Sequence, residues 1–295
     1  MAATPASSAP CDGVATTLRW PSSSWSEAIQ TRRLALLLQY EGTAYHGWQR
    51  QRHGPTIQAT LEAAVCKLQP GFQGTAIAAG RTDAGVHATG QVVHVDVTSP
   101  IPDHRWPRAL NGCLPPDIRV LAARAVSSQW HACFSACWRR YRYFLYNNPV
   151  PNLFLRTTSW HRYNATLNEQ RMVTALQSLL GYHDLRAFQR TGSSRRHART
   201  TVQAVDVQRW GDVVAVDVQC SGFLYGMMRL LVGQLVAVGE GRLPVPVFEQ
   251  RWRLGKREEV QEAAPPQGLC FMGVGYESTL FPVPVPWPGG HLGVG

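Results

Sequence analysis

The stretch TAIAAGRTDAGVHATGQVVHVDV, residues 75–97, decides how this chain is read. Thr75–Ala79 predicts one strand and Gln91–Val97 another, the second with Val93, Val95 and Val97 on one face and His94 and Asp96 on the other. Between them lies a loop, Gly80–Gly90, built mostly of small residues, with glycines at 80, 85 and 90. That spacing invites a phosphate-binding loop. The reading fails, because Val86-His87 follows Gly85 where such a loop needs Lys and then Ser or Thr. The glycines instead allow a sharp turn and close approach of a substrate to the backbone. Asp83 is the residue of interest. In an arbitrary loop an aspartate usually caps its own turn, but Arg81 stands two residues away, placed to hold the carboxylate ionised and oriented, and nothing bulky blocks access to it. A metal site would need more. Asp83, His87, His94 and Asp96 are ligand types, yet no HxH or HExxH spacing is present, so no metal is expected. No G-x-S-x-G elbow offers a serine nucleophile.

Upstream, Leu34–Tyr40 reads as a strand ending at the turn signal Glu41-Gly42. Pro55 then opens a helix over Thr56–Leu68, in which Ile57, Leu61, Ala64, Val65 and Leu68 recur at helical spacing. Downstream, strands are predicted at Ile118–Ala125 and Arg140–Tyr146, and a helix from Leu167 to Leu180 capped by Gly181. Val202–Trp210 and Val213–Cys220 form a hairpin through Gly211-Asp212. Met227–Val238 is a buried helix, Val247–Leu254 a short amphipathic one, and Cys270–Tyr276 a closing strand. Trp48 and Trp106 read as packing residues. Mixed strands and helices in two runs predict an α+β fold: two α/β-type halves, residues 31–135 and 136–277, share a largely antiparallel mixed sheet with a central basic cleft. Residues 1–30, rich in Ala, Ser, Thr and Pro, read as a disordered leader, and residues 278–295 as a flexible tail.

The chain has 295 residues and 44% apolar content, which excludes fibrous and wholly disordered classes. No run approaches the roughly 18 apolar residues of a membrane span. Seven cysteines are odd in number and too dilute for a disulfide scaffold, so a reduced cytoplasmic protein is expected. The leader carries Arg19 alone with Asp12 and Glu27, unlike an organelle transit peptide. The net charge is +10, and only Lys67 and Lys256 of the 29 basic residues are lysines. Arginine forks pair bidentately with phosphate and stack on bases, which lysine does not. Two windows lack acids: Asp117 to Glu169, with seven arginines, and Asp184 to Asp206, with five. These twelve cations find no local counter-charge, which predicts a nucleic-acid face.

Several blocks together resemble the TruA family of tRNA pseudouridine synthases. AGRTDAGVHATGQVVH, residues 79–94, is similar to the family's active-site signature nearly letter for letter. YHGWQR at 45–50, WHACFSACWRRYRYFLY at 130–146, the helix block at 222–233 and the strand at 268–276 resemble other family blocks in order. By position the resemblance implies that Asp83 is the catalytic aspartate, Arg81 its partner and Tyr141 the tyrosine that contacts the base. Arg229 and Leu269 fall at pocket-lining positions. Arg139, Arg140, Arg195, Arg196 and Arg199 are expected to bind the RNA backbone. Tyr225-Gly226 stands where the family often has His-His, Leu230 where Asn is frequent, and Cys133 where it has Arg. The resemblance further implies a homodimer that acts on positions 38–40 of the anticodon stem-loop.

That chemistry breaks N1–C1′ of a uridine, turns the base and joins C5 to C1′. Nothing is oxidised and no group is lost, so no cofactor is expected. One ionised carboxylate must reach the nucleoside, whether to attack base or sugar or to take a proton from the sugar. The base must leave its stack to get there. A different class of protein, an RNA-binding or chaperone protein without catalysis on the same fold, is opposed by the presence of Arg81, Asp83 and Tyr141 together.

Overall fold

A computed structural model describes residues 30–192, 197–260 and 262–281. Ten strands lie in one sheet: β1 (Arg32–Tyr40), β2 (Ile77–Ala78), β3 (His87–Val97), β4 (Ile118–Val126), β5 (Ala136–Tyr146), β6 (Trp160–His161), β7 (Gly181–Asp184), β8 (Arg199–Trp210), β9 (Val213–Cys220) and β10 (Leu269–Tyr276). The main path runs β4-β1-β3-β10-β5-β9-β8-β7, with β2 beside β3 and β6 beside β5. Pairing is antiparallel except at β3–β10 and β5–β6. The last strand among the described residues therefore enters the middle of the sheet and joins the strands that precede residue 135 to those that follow it.

Five helices accompany the sheet: α1 (Ile57–Leu68), α2 (Trp106–Asn111), α3 (Glu169–Gln177), α4 (Met227–Gly239) and α5 (Val245–Arg253). None is long and apolar enough to cross a membrane. The main core joins helix residues such as Leu61, Leu176, Leu231 and Phe248 to Leu36 of β1, Val93 of β3, Tyr143 of β5 and Val216 of β9. Period-two alternation along the strands makes this one face of the sheet. The opposite face carries two smaller clusters, around Leu37 and Val92 and around Phe144 and Ala215. Trp48 and Trp106 are buried in the main core, as read from the sequence.

Local chemistry sets the helix ends. Thr56 caps α1, its hydroxyl accepting the Ala59 N–H at 3.4 Å. The third helix is shorter than Leu167–Leu180, because Asn168 accepts the Arg171 N–H at 2.9 Å and so starts it two residues late. At its other end Gly181, with φ +104, opens β7 and caps nothing. Leu280 and Phe281, read from the sequence as tail, pack against the Leu37 and Val92 cluster. The leader, Arg195 and Arg196 lie outside the described residues.

The acid-free windows mislead in part. Arg142 pairs with Asp217 and Arg162 with Glu240, while Arg119, Arg124 and Arg139 donate to backbone carbonyls. The acids and carbonyls that hold them are distant in sequence or belong to the backbone, and local charge counting sees neither.

Both faces of β3 are covered. His94 is buried, its Nδ1 accepting the Ala132 N–H at 3.1 Å. Burial first, then the charges of Arg33 and His131, pushes the ring down to about 4. A protein that holds this histidine neutral binds fewer protons than its unfolded chain below about pH 6.5. Its stability should therefore fall by about 2–3 kcal/mol between pH 6.5 and pH 4.5. Urea denaturation across that range checks this; a flat profile contradicts it.

Candidate active site

The loop after β2 is held rigid from both halves of the sheet. Ala79 donates its N–H to the Val92 carbonyl at 2.8 Å and accepts the Arg139 Nε–H at 3.1 Å. Gln91, fully buried, donates to the Gly80 carbonyl at 2.7 Å and accepts the Gly80 N–H at 3.4 Å. The Arg81 carbonyl accepts the Tyr141 hydroxyl at 3.2 Å. The Thr82 hydroxyl bonds to the Tyr40 hydroxyl at 2.8 Å, and the Thr82 carbonyl accepts the Trp48 N–H at 3.0 Å. Gly85, at φ +77, turns the chain back through a left-handed conformation that a side chain would strain. His87 closes the loop. Its Nδ1 accepts the Gly42 N–H at 3.2 Å, and Nε2 lies 2.9 and 3.1 Å from the carbonyls of Thr157 and Gln267. Two carbonyl acceptors put the ring proton on Nε2, and burial lowers the tendency of His87 to take a second one.

Every backbone position from 79 to 82 thus has a hydrogen-bond partner, while the Asp83 side chain has an ion pair and no hydrogen bond among the described residues. Its carboxylate projects from the rigid bend, one quarter exposed, with Oδ2 3.6 Å from Nη1 of Arg229. Arg229 comes from the first turn of α4 and is itself anchored. Its Nε donates to the Ala264 carbonyl at 2.6 Å, and its own carbonyl accepts the Ala264 N–H at 2.8 Å. The cation paired with Asp83 is therefore Arg229, which sequence proximity did not indicate. Arg81 is exposed and pairs with no carboxylate among the described residues; only its carbonyl is fixed. In this bend Thr82 is turned inward to Tyr40, and Arg81 is turned out.

Tyr141 is 7% exposed and meets the rings of Phe223 and Phe271 edge-on, at 4.7 and 5.0 Å. Burial first, then the neighbouring Tyr40 and the Asp83 charge, drives its hydroxyl well above the ordinary tyrosine range, so it stays neutral. Leu269 is buried at the start of β10, opposite Tyr143 in register, and Tyr143 donates to the Pro265 carbonyl at 2.7 Å. Asp83, Arg229 and Tyr141 thus converge, with Leu269 one strand away from Tyr141.

The expected RNA-backbone arginines part company. Arg139 is buried, with its guanidinium engaged by carbonyls of Ala79, Cys133, Ala136 and Ser221, so it supports the loop and offers phosphate nothing. Arg140 follows it on β5 and so points to the other sheet face, away from Tyr141. Arg199 sits opposite Asp184, whose carboxylate also holds Arg186. Exposed cations that meet no carboxylate among the described residues include Arg81 in the loop and Arg190 beside Tyr225. Tyr40, Gln91 and His87 were missed as loop supports. Gln91 carried a signal: a polar side chain at the parity of Val93 and Val95.

A family model described as tRNA pseudouridine synthase matches residues 37–135 and 175–277. The tRNA pseudouridine synthase A of Parasynechococcus marenigrum (strain WH8102) is 58% identical over 261 residues, covering 88% of this chain and 87% of that protein. Proteins of the same name from Synechococcus sp. (strain CC9605) and Prochlorococcus marinus (strain MIT 9303) are 56% and 57% identical. These cover 88% and 86% of this chain, and 89% and 86% of the relatives.

Proposed function

This chain belongs to the tRNA pseudouridine synthase family, and from that premise we propose that it isomerises uridine to pseudouridine in tRNA with Asp83 as the reacting carboxylate. The observation that carries this is the Asp83–Arg229 pair at 3.6 Å, the only side-chain ion pair of the loop among the described residues. A rigid backbone on both sides of Asp83 removes the entropy of aiming it, which is where positioning gains rate. Arg229 keeps a positive charge beside the carboxylate without a close bidentate lock, so one oxygen stays free for the nucleoside. Tyr141 lies against Phe223 and Phe271 next to that carboxylate, and its ring supplies a plane for the extruded pyrimidine. Bond making and breaking stay within one nucleotide, so the reaction needs an ionised carboxylate and a held base, and Asp83 and the Tyr141 ring are the groups that would serve.

The substrate uridines lie at positions 38–40 of the anticodon stem-loop, and the enzyme works as a cytoplasmic homodimer whose exposed arginines meet the phosphates. Tritium release from tRNA labelled at uridine C5, followed by mapping of the modified positions, tests this. Release confined to positions 38–40 supports the proposal. Binding without release would leave an RNA-binding protein in its place.

Arg229 also gives a graded prediction. In Arg229→Gln the carboxylate loses its fixed neighbour while the helix keeps its packing. Single-turnover isomerisation should fall by about 10²-fold, the usual cost of misplacing a reacting group, with tRNA affinity changed by less than about threefold, the loss of one contact among many. An unchanged rate would remove Arg229 from the site.

A further inference from the structure

Phe223 and Arg229 reach Tyr141 and Asp83 from the second half of the chain, and the segment between them carries an exposed aromatic of its own. Tyr225 is 45% exposed. It stands two residues from Phe223, so their Cα atoms are within about 8 Å. Its carbonyl accepts the Arg190 N–H at 2.9 Å, and the Arg190 guanidinium carbon lies 5.4 Å from the centre of its ring. Gly226 makes this packing possible. At φ +69 it has no side chain, and a Cβ there would come within 2.5 Å of Arg190 Cδ. Arg190 is exposed and meets no carboxylate among the described residues. An aromatic plane and a cation are thus fixed to each other in the segment that carries Phe223 and Arg229 to Tyr141 and Asp83, both open to water.

We propose that Tyr225 and Arg190 form a stacking subsite for the unpaired nucleotide adjacent to the extruded uridine, the base lying on the Tyr225 ring and the neighbouring phosphate on Arg190. This rests on the reading of the protein as an enzyme of tRNA uridines. Extrusion takes the target out of its stack and leaves a neighbouring base with one bare face. A tyrosine ring accepts any base on its free face, because every base has a π-surface. Arg190 covers the other face and presents its fork to phosphate. The two residues are preorganised by the Arg190 N–H bond and the glycine turn, so little side-chain freedom is lost on binding. Such a subsite raises affinity and selects unpaired neighbours, and it takes no part in bond rearrangement.

The test uses full-length protein and anticodon stem-loop RNAs carrying 2-aminopurine on the 5′ or the 3′ side of the target uridine. The wild type should quench the probe in one of the two RNAs. Tyr225→Leu should abolish that quenching and weaken binding by about 10- to 100-fold, the range found for loss of one stacked base. Its single-turnover rate at saturating enzyme should stay within about threefold of wild type, since the positioning of the Asp83 carboxylate is untouched. Tyr225→Phe, which keeps the plane, should restore both quenching and affinity. Arg190→Gln should keep part of the quenching and flatten the slope of log affinity against log salt by about one. Equal quenching and affinity in wild type and Tyr225→Leu would overturn the subsite, as would a wild type that isomerises tRNA yet quenches neither probe. A wild type that fails to isomerise any tRNA would instead remove the reading on which the subsite rests.

Discussion

Purified Asp83→Asn protein should bind tRNA as the wild type does, within about twofold, while pseudouridine formation falls by about 10⁴-fold, the upper end of what a single positioned acid–base group contributes. The two expectations have separate physical sources. Affinity for a polyanion comes from arginines and aromatic planes, and a carboxylate adds nothing attractive to it. On the proposed assignment reactivity comes from the carboxylate, and an amide of the same shape supplies neither a nucleophile nor a proton acceptor. The substitution also leaves the loop in place. The bonds that hold positions 79–82 and the Val86 N–H to Asp83 carbonyl bond, 3.2 Å, involve other groups or the backbone. Filter binding and tritium release on the same preparation separate the two effects. Normal pseudouridine formation would refute the assignment of Asp83.

The largest effect on stability should come from the other face of the same strand that carries Tyr141. Arg142 and Asp217 form an ion pair at 2.9 Å with side-chain exposures of 2% and 8%. Arg142 Nη2 and Asp217 Oδ1 are buried without a hydrogen-bond partner among the described residues. Burial pushes the Asp217 carboxyl up in spite of the opposing pull of Arg142, so desolvation here exceeds the attraction between the charges. Asp217→Ala leaves the guanidinium alone among Phe144 and Trp210, whose rings it approaches at 5.9 and 5.4 Å. The variant should lose about 3–5 kcal/mol. Replacing both partners, Arg142→Met with Asp217→Leu, should recover most of that loss and keep isomerase activity, because these side chains face away from Tyr141. Urea midpoints of the two variants decide it. A loss below about 1 kcal/mol in Asp217→Ala, the scale of an exposed pair, would show that water reaches the site.

How much could be read in advance varied with the range of the forces involved. The helix at α1 was legible because its cap and its apolar period are local. The strands β1, β5, β8 and β9 were legible because alternation and turn residues are local too. The start of β3 was not. His87–Gly90 reads as loop, being glycine-bearing and small, and it is strand because β10 pairs on one side, His87 with Cys270 and Ala88 with Phe271, and β1 on the other, Ala88 with Tyr40. The first of these partners, β10, lies far from β3 in the sequence, Cys270 against His87. Two misses were local instead: the expected length of α3 ignored Asn168 as a cap, and α2 is a six-residue helix too short for periodicity to register.

The sequence by itself singled out the candidate for the reacting carboxylate: Asp83 is marked by its glycine-bounded loop and by the family signature around it, both contiguous in the chain. Tertiary structure alone decided what stands beside it. Arg229 displaces Arg81 as the partner because the bend leaves Arg81 turned outward while α4 brings Arg229 to the carboxylate. Arg139 becomes a loop support because β5 runs past Ala79 with its guanidinium inward. Pairing of charges depends on distance through space, and neighbours along the chain say little about that once a sheet has brought its two ends together.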